Sequence, residues 1–182
     1  PFSTLDNAIG CITAIIKSKV IPRTIEFMEK EVIQMAEEYL SKKFPELSAP
    51  VYLLLAFDGS SREQVETEME VDAEICLNQE AIDVLIADIE EHTTMLWFSR
   101  GASLEAIKNS TSEIDECDVV VPRNCISRFI RFTKELAADH LVRIFSFGRA
   151  GDGNLHIYIL RDDLYQEDWE SKKEKVFDRI YA

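Results

Sequence analysis

The four cysteines of this 182-residue sequence, Cys11, Cys76, Cys117 and Cys125, include no C-x-x-C pair and no spacing of zinc ligands. That excludes a zinc site of the usual kind and leaves buried, reduced thiols in a cytoplasmic protein as the expectation. No apolar stretch is long enough to span a bilayer, and no basic segment precedes a short apolar one at the start, so neither a membrane span nor a secretory signal is read. Basic residues are scarce too. Twenty Lys and Arg stand against 34 Asp and Glu, a formal net charge of −14, and no basic and aromatic cluster offers a track for a phosphate backbone. Nucleic acid is excluded as a partner. The acidity lies along polar helix faces, as in Glu63 to Glu70, and reads as solvated surface. A Gly-x-Ser-x-Gly elbow and a P-loop with its Lys-Ser/Thr pair are both missing, which removes the commonest serine-hydrolase and nucleotide-phosphate readings.

What is present suits a compact fold. A content of 46% hydrophobic and 30% charged residues is ordinary for one globular domain with a sizeable core. The sequence starts at Pro1 on a segment that already looks helical, so it is expected to be a piece of a longer polypeptide. Leu5 to Ile16 is apolar with an ambiguous period, and Ile21-Pro22 marks a boundary. From Thr24, Ile25, Met28, Val32, Met35, Ala36 and Leu40 recur at helical spacing and predict one amphipathic helix. Val51 to Phe57 reads as a central strand ended by Asp58-Gly59. Ser60 and Glu63 form a capping box for a helix with Val65, Met69, Ala73 and Cys76 on its inner face.

Ile82 to Ala87 is a second expected strand, Glu90 to Lys108 a helix, and Asp118 to Val121 a third strand stopped by Pro122. Another helix follows through Ile126, Ile130 and Leu136; then Val142 to Phe147 and Leu155 to Leu160 form a hairpin, and Gln166 to Ala182 closes as a helix. This order permits a doubly wound parallel sheet or an antiparallel α+β sandwich with split β-α-β units. The closing hairpin favours the second.

Three features could carry chemistry. Arg100 shares a helix stripe with Trp97 and Leu104, and its neighbours three and four residues away, Leu96, Trp97, Ser103 and Leu104, include no acid. Its guanidinium either grips a substrate carboxylate or reaches solvent or a distant Asp or Glu. His156 alternates on a strand, as a structural histidine or as a base or ligand. Gly151-Asp152-Gly153-Asn154 places a tight turn beside that imidazole, either as a plain hairpin turn or as part of a site. His92 and His140 read as surface positions.

The segment Phe147-Gly148-Arg149-Ala150-Gly151-Asp152-Gly153-Asn154-Leu155-His156 resembles the Gly-His-x-Gly-Asp-Gly-Asn-Leu-His signature of the C-terminal domain of FAD-linked oxidases. Ile21-Pro22 with Glu26-Phe27-Met28, Trp97-x-x-Arg100, Glu105-Ala106-Ile107-Lys108 and Asp118-Val119-Val120-Val121-Pro122-Arg123 follow in that family's order and approximate spacing, so the resemblance covers nearly all of residues 1–182. It is strongest toward the branch that oxidises lactate or glycolate and passes electrons to an electron-transfer flavoprotein.

The resemblance implies an α+β fold, an antiparallel sheet with helices packed on one face: the ferredoxin-like cap domain of vanillyl-alcohol-oxidase-type flavoproteins. It implies FAD held mainly by a separate N-terminal domain absent from this sequence. It implies that Arg100 binds the carboxylate of a D-2-hydroxy acid, with Asn154 and Gly153 near the flavin and His156 as the catalytic group. One departure stands out. Metal-dependent members use two histidines seven residues apart, with a downstream acid, to hold a divalent metal; here the first position is Arg149. No bound metal is therefore expected, and Arg149 either substitutes for the metal's charge beside the substrate or marks lost activity. In the latter case the chain is a non-catalytic α+β interaction module.

Overall fold

The computed structural model describes residues 1–44, 48–87 and 89–182. Helix α1, Leu5–Ser18, is capped by Thr4, whose hydroxyl accepts from the Asn7 amide, and it buries Ala8, Ile9, Cys11, Ile12 and Ile15. Strand β1, Thr24–Glu29, runs straight into helix α2, Lys30–Leu40. Strand β2, Val51–Ala56, follows, then the long helices α3, Arg62–Asn78, and α4, Glu90–Asn109. Strand β3, Ile114–Val120, leads through a short 3-10 turn, Arg123–Cys125, into helix α5, Ile126–His140. Strands β4, Arg143–Arg149, and β5, Asn154–Leu160, form the expected hairpin, and helix α6, Gln166–Tyr181, ends the chain.

The five strands lie in the order β2-β1-β4-β5-β3, with every neighbouring pair antiparallel. Strands β3 and β4 both flank β5 and are therefore parallel to each other, joined by α5, which makes them a split β-α-β unit. The antiparallel α+β class read from the sequence is the fold observed. The helices, however, cover both faces instead of one. Helices α1, α5 and α6 pack on the side of Ile25, Phe27, Ile144, Leu155, Ile157 and Ile159. Helices α2 and α4 place Val32, Ile33 and Ile107 against Met28, Tyr52, Phe147, Tyr158 and Leu160 on the other side. The hairpin turn is tight for an internal reason. Gly153 has φ +83°, and a Cβ there would stand 2.2 Å from the Val121 carbonyl oxygen, whose own residue's amide bonds the Gly153 carbonyl at 3.0 Å.

Four expectations are corrected. The residues from Thr24 to Glu29 form a strand, because β1 sits in the middle of a sheet covered on both faces: Ile25, Glu26, Phe27 and Met28 are all buried, so no polar alternation marks the period of two. Ile82 to Ala87 makes no strand; Ile82, Leu85 and Ile86 are about half exposed, and the nearest pairing is an isolated bridge between Phe2 and Ala81. The cap of α3 is Ser61, whose hydroxyl accepts from Gln64, in place of the Ser60 and Glu63 box. On α3 only Asp72 and Cys76 are buried, because the stripe of Val65, Met69 and Ala73 faces a cavity and not the sheet.

Candidate functional site

The site grows from one sheet face. Strand alternation sends Glu26, Phe147, Arg149, Asn154, His156, Tyr158, Glu116 and Asp118 to the side that α2 and α4 cover in part. The register sets Glu26 beside Arg149, Arg149 beside Asn154, Phe147 beside His156, and His156 beside Asp118. Of these side chains Glu26 and Arg149 line a cavity of about 1560 Å³, together with Trp97, His92, Leu54 and the inner stripe of α3 among others.

Arg100 reaches this face from α4. Its Nε donates to Glu26 Oε2 at 2.8 Å, and its guanidinium carbon lies 4.6 Å from the centre of the Phe147 ring. Glu26 is buried, with its side chain 5% exposed, and Arg100 is largely covered at 19%. Arg149 approaches the same carboxylate, Nε to Oε1 at 3.7 Å, while staying mostly in solvent. Two guanidinium groups therefore share one buried acid, which leaves a surplus positive charge at this end of the face. The distant acid that the sequence left open for Arg100 is Glu26, seventy-four residues away.

At the other end, His156 Nδ1 is 2.5 Å from Asp118 Oδ1 and 3.3 Å from Glu116 Oε1. With Asp118 accepting from Nδ1–H, the lone pair of the neutral ring is on Nε2. The imidazole lies against the Phe147 ring, centroids 5.6 Å apart, and Phe147 stacks on Tyr158 at 5.2 Å. Phe147 is thus the apolar floor between Arg100 and His156. Tyr158 donates to Glu116 at 2.8 Å, and burial, aided by that carboxylate, pushes its phenol well above the ordinary range, so it stays protonated.

Asn154 is half-buried; its amide N–H bonds Asp152 Oδ1 at 3.1 Å, and its side chain has no hydrogen bond to another described residue. Gly153 is buried in the turn and faces Val121. His92, at the start of α4, is exposed on the cavity wall, and His140, at the end of α5, is half-buried and does not line the cavity. The structure so gathers Arg100, Arg149, Asn154 and His156 on one face and adds Glu26, Phe147, Glu116 and Asp118, to which the sequence reading had given no role. The two-residue alternation of β1, β3 and β4 is the signal that could have found them, and the helical spacing from Thr24 hides it in β1.

The two-histidine metal set does not fit these residues. Arg149 occupies the first position, and its guanidinium, a cation, is turned to Glu26. Near His156 the donor atoms are those of Glu116 and Asp118, all within 4.8 Å of one another, a set of another kind in which Asp118 bonds the imidazole and Glu116 accepts from Tyr158. Among the described residues, no helix is long and apolar enough to cross a membrane.

The family model described as FAD linked oxidases, C-terminal domain, matches residues 1–182. A D-lactate dehydrogenase of Anaerostipes hadrus is 42% identical over the whole chain, which covers 39% of that protein. The glycolate oxidase subunit GlcD of Bacillus subtilis is 32% identical over 99% of the chain and 38% of its own length. The chain thus spans about two fifths of the relatives it matches. Among solved structures, an alkyldihydroxyacetonephosphate synthase superposes on 98% of this chain and 39% of its own with a TM-score of 0.65 at 17% identity, a likeness of fold.

Proposed function

This chain belongs to the C-terminal domains of FAD-linked oxidases, and from that premise we propose that it is the substrate-side domain of an FAD-dependent D-2-hydroxy-acid dehydrogenase or oxidase, turning D-lactate or glycolate into the 2-oxo acid. The observation that carries this reading is the polarity of the site: two arginines around one buried carboxylate at one end, a carboxylate-held imidazole at the other, and an aromatic floor between them. A small 2-hydroxy acid has the matching polarity, with a carboxylate at one end and a hydroxyl next to it.

In this reading Arg100 binds the substrate carboxylate through the edge of its guanidinium that Glu26 leaves free, and Glu26 with Phe147 fixes the plane of that fork. Arg149, exposed and beside Asn154, adds positive charge where metal-dependent relatives would have a cation. His156 takes the hydroxyl proton at Nε2, and Asp118 holds its tautomer and stabilises the charge it gains. Bound FAD supplies the hydride acceptor. Asn154 offers its free amide to the cofactor side, and Gly153 keeps the turn narrow enough for that approach. The flavin is held mainly by a domain outside this sequence. Ile82, Leu85, Ile86, Ile89 and Phe98 are each more than half exposed, and contact with that domain is the role assigned to this exposure. A cytoplasmic location fits the four unbridged cysteines, and an electron-transfer flavoprotein is the assigned acceptor.

The test is the visible spectrum of the full-length protein, recorded anaerobically while D-lactate, glycolate and D-2-hydroxyglutarate are added in turn. Bleaching of the flavin by D-lactate or glycolate is the expected result; a flavin that stays oxidised with all three would remove this substrate class, and a protein without flavin would favour the interaction module. In the same assay Arg100→Lys keeps a charge beside Glu26 but loses the planar fork. Its KM should rise about tenfold, the equivalent of about 1.4 kcal/mol.

A further inference from the structure

The cavity that ends at the sheet face also reaches Cys76 and Asp72 of α3, neither of which serves the chemistry above. Cys76 Sγ lies 3.5 Å from Cys11 Sγ of α1, both side chains buried. A disulfide needs the sulfurs at about 2.05 Å, so a shift of about 1.5 Å would join them, within the reach of a small rotation about each Cα–Cβ bond. Asp72 lies one turn before Cys76 on the same helix face, and both its carboxylate oxygens are buried without a hydrogen-bond partner among the described residues. A buried acid one turn from a thiol is placed to accept and return a proton.

We infer that Cys11 and Cys76 form a reversible disulfide site, oxidised by hydrogen peroxide that enters through the cavity, with Asp72 as the local proton acceptor. The two thiols are not equivalent. The Cys11 S–H donates to the Cys76 sulfur, which lowers the pKa of Cys76 and raises that of Cys11. Cys76 also lines the cavity. It is the sulfur that reacts first.

In the first step Cys76 gives its proton to Asp72, and the thiolate attacks one peroxide oxygen. The O–O bond breaks, the departing hydroxide recovers the proton from Asp72 to become water, and Cys76 is left as a sulfenic acid. In the second step the Cys11 sulfur attacks Cys76 Sγ, the S–O bond breaks, and the leaving hydroxide takes the Cys11 proton as a second water. Two thiols and one peroxide thus become one disulfide and two waters.

The bond would tie a lightly anchored helix to a well-anchored one. Helix α3 buries only Asp72 and Cys76, whereas α1 buries five residues, so the cross-link clamps the cavity wall.

The experiment treats the full-length native protein with hydrogen peroxide, quenches it, alkylates free thiols in denaturant, digests without reductant and identifies the peptides by mass. The expected product is the Cys11 peptide joined to the Cys76 peptide, lost on reduction with dithiothreitol and still formed in Cys117→Ser. In Cys11→Ser, Cys76 should stop at the sulfenic acid and be captured by dimedone. Recovery of both Cys11 and Cys76 as alkylated thiols after peroxide, or of Cys76 as a sulfinic acid with Cys11 free, would overturn the proposal.

Discussion

Glu26 shows how one residue sets the character of a site. A lone buried carboxylate is costly, and this one is held by Arg100 at 2.8 Å and approached by Arg149 at 3.7 Å. Asp118 plays the corresponding part for His156, as a positioning residue. Asp118→Asn, made in the full-length protein, should lower kcat about ten- to a hundredfold with little change in KM, and Asp118→Glu should recover part of the loss. A variant with unchanged kcat would remove His156 as the base. Arg100, Asn154 and His156 were legible as candidates because their residue types stand out in an apolar helix stripe and beside an Asp-Gly turn. Glu26 and Asp118 were not, since an acid in a strand looks like surface until the register shows what lies across from it.

At the scale of elements, the helices with strong apolar stripes and the hairpin between Gly-rich turn and apolar runs were readable, whereas β1 was absorbed into α2 because its two faces are both covered. Helix α3 carries the strongest consequence. Burial, with Glu68 nearby, raises the Asp72 carboxyl from 3.8 to about 6. The folded protein therefore binds this proton more tightly than the unfolded chain does, so stability falls as the pH rises from about 4 through 6 and then levels off. Asp72→Asn, nearly the same in shape but never charged, should be more stable than the parent by about 2–3 kcal/mol at pH 8, an advantage that vanishes near pH 4. Urea unfolding at the two pH values checks this, and equal differences at both would show that the carboxyl is not ionising in the fold.

For the whole molecule, the Glu26 and Arg149 end of the sheet face opens into the cavity, whose wall includes the exposed Leu85 and Ile86. On the proposed reading, residues 1–182 made alone should fold, by circular dichroism, and yet retain no stoichiometric FAD; tight binding by that piece would relocate the flavin site into this domain. The sequence by itself determined the fold class, the family and the set of polar residues around the Gly151 to Asn154 turn, because apolar periodicity, turn chemistry and a long motif are local in the chain. Only the tertiary structure decided which charges pair. Glu26 with Arg100 and Cys11 with Cys76 bridge 74 and 65 residues, and His156 meets Asp118 across 38; such contacts depend on strand register and helix docking, which no local pattern encodes.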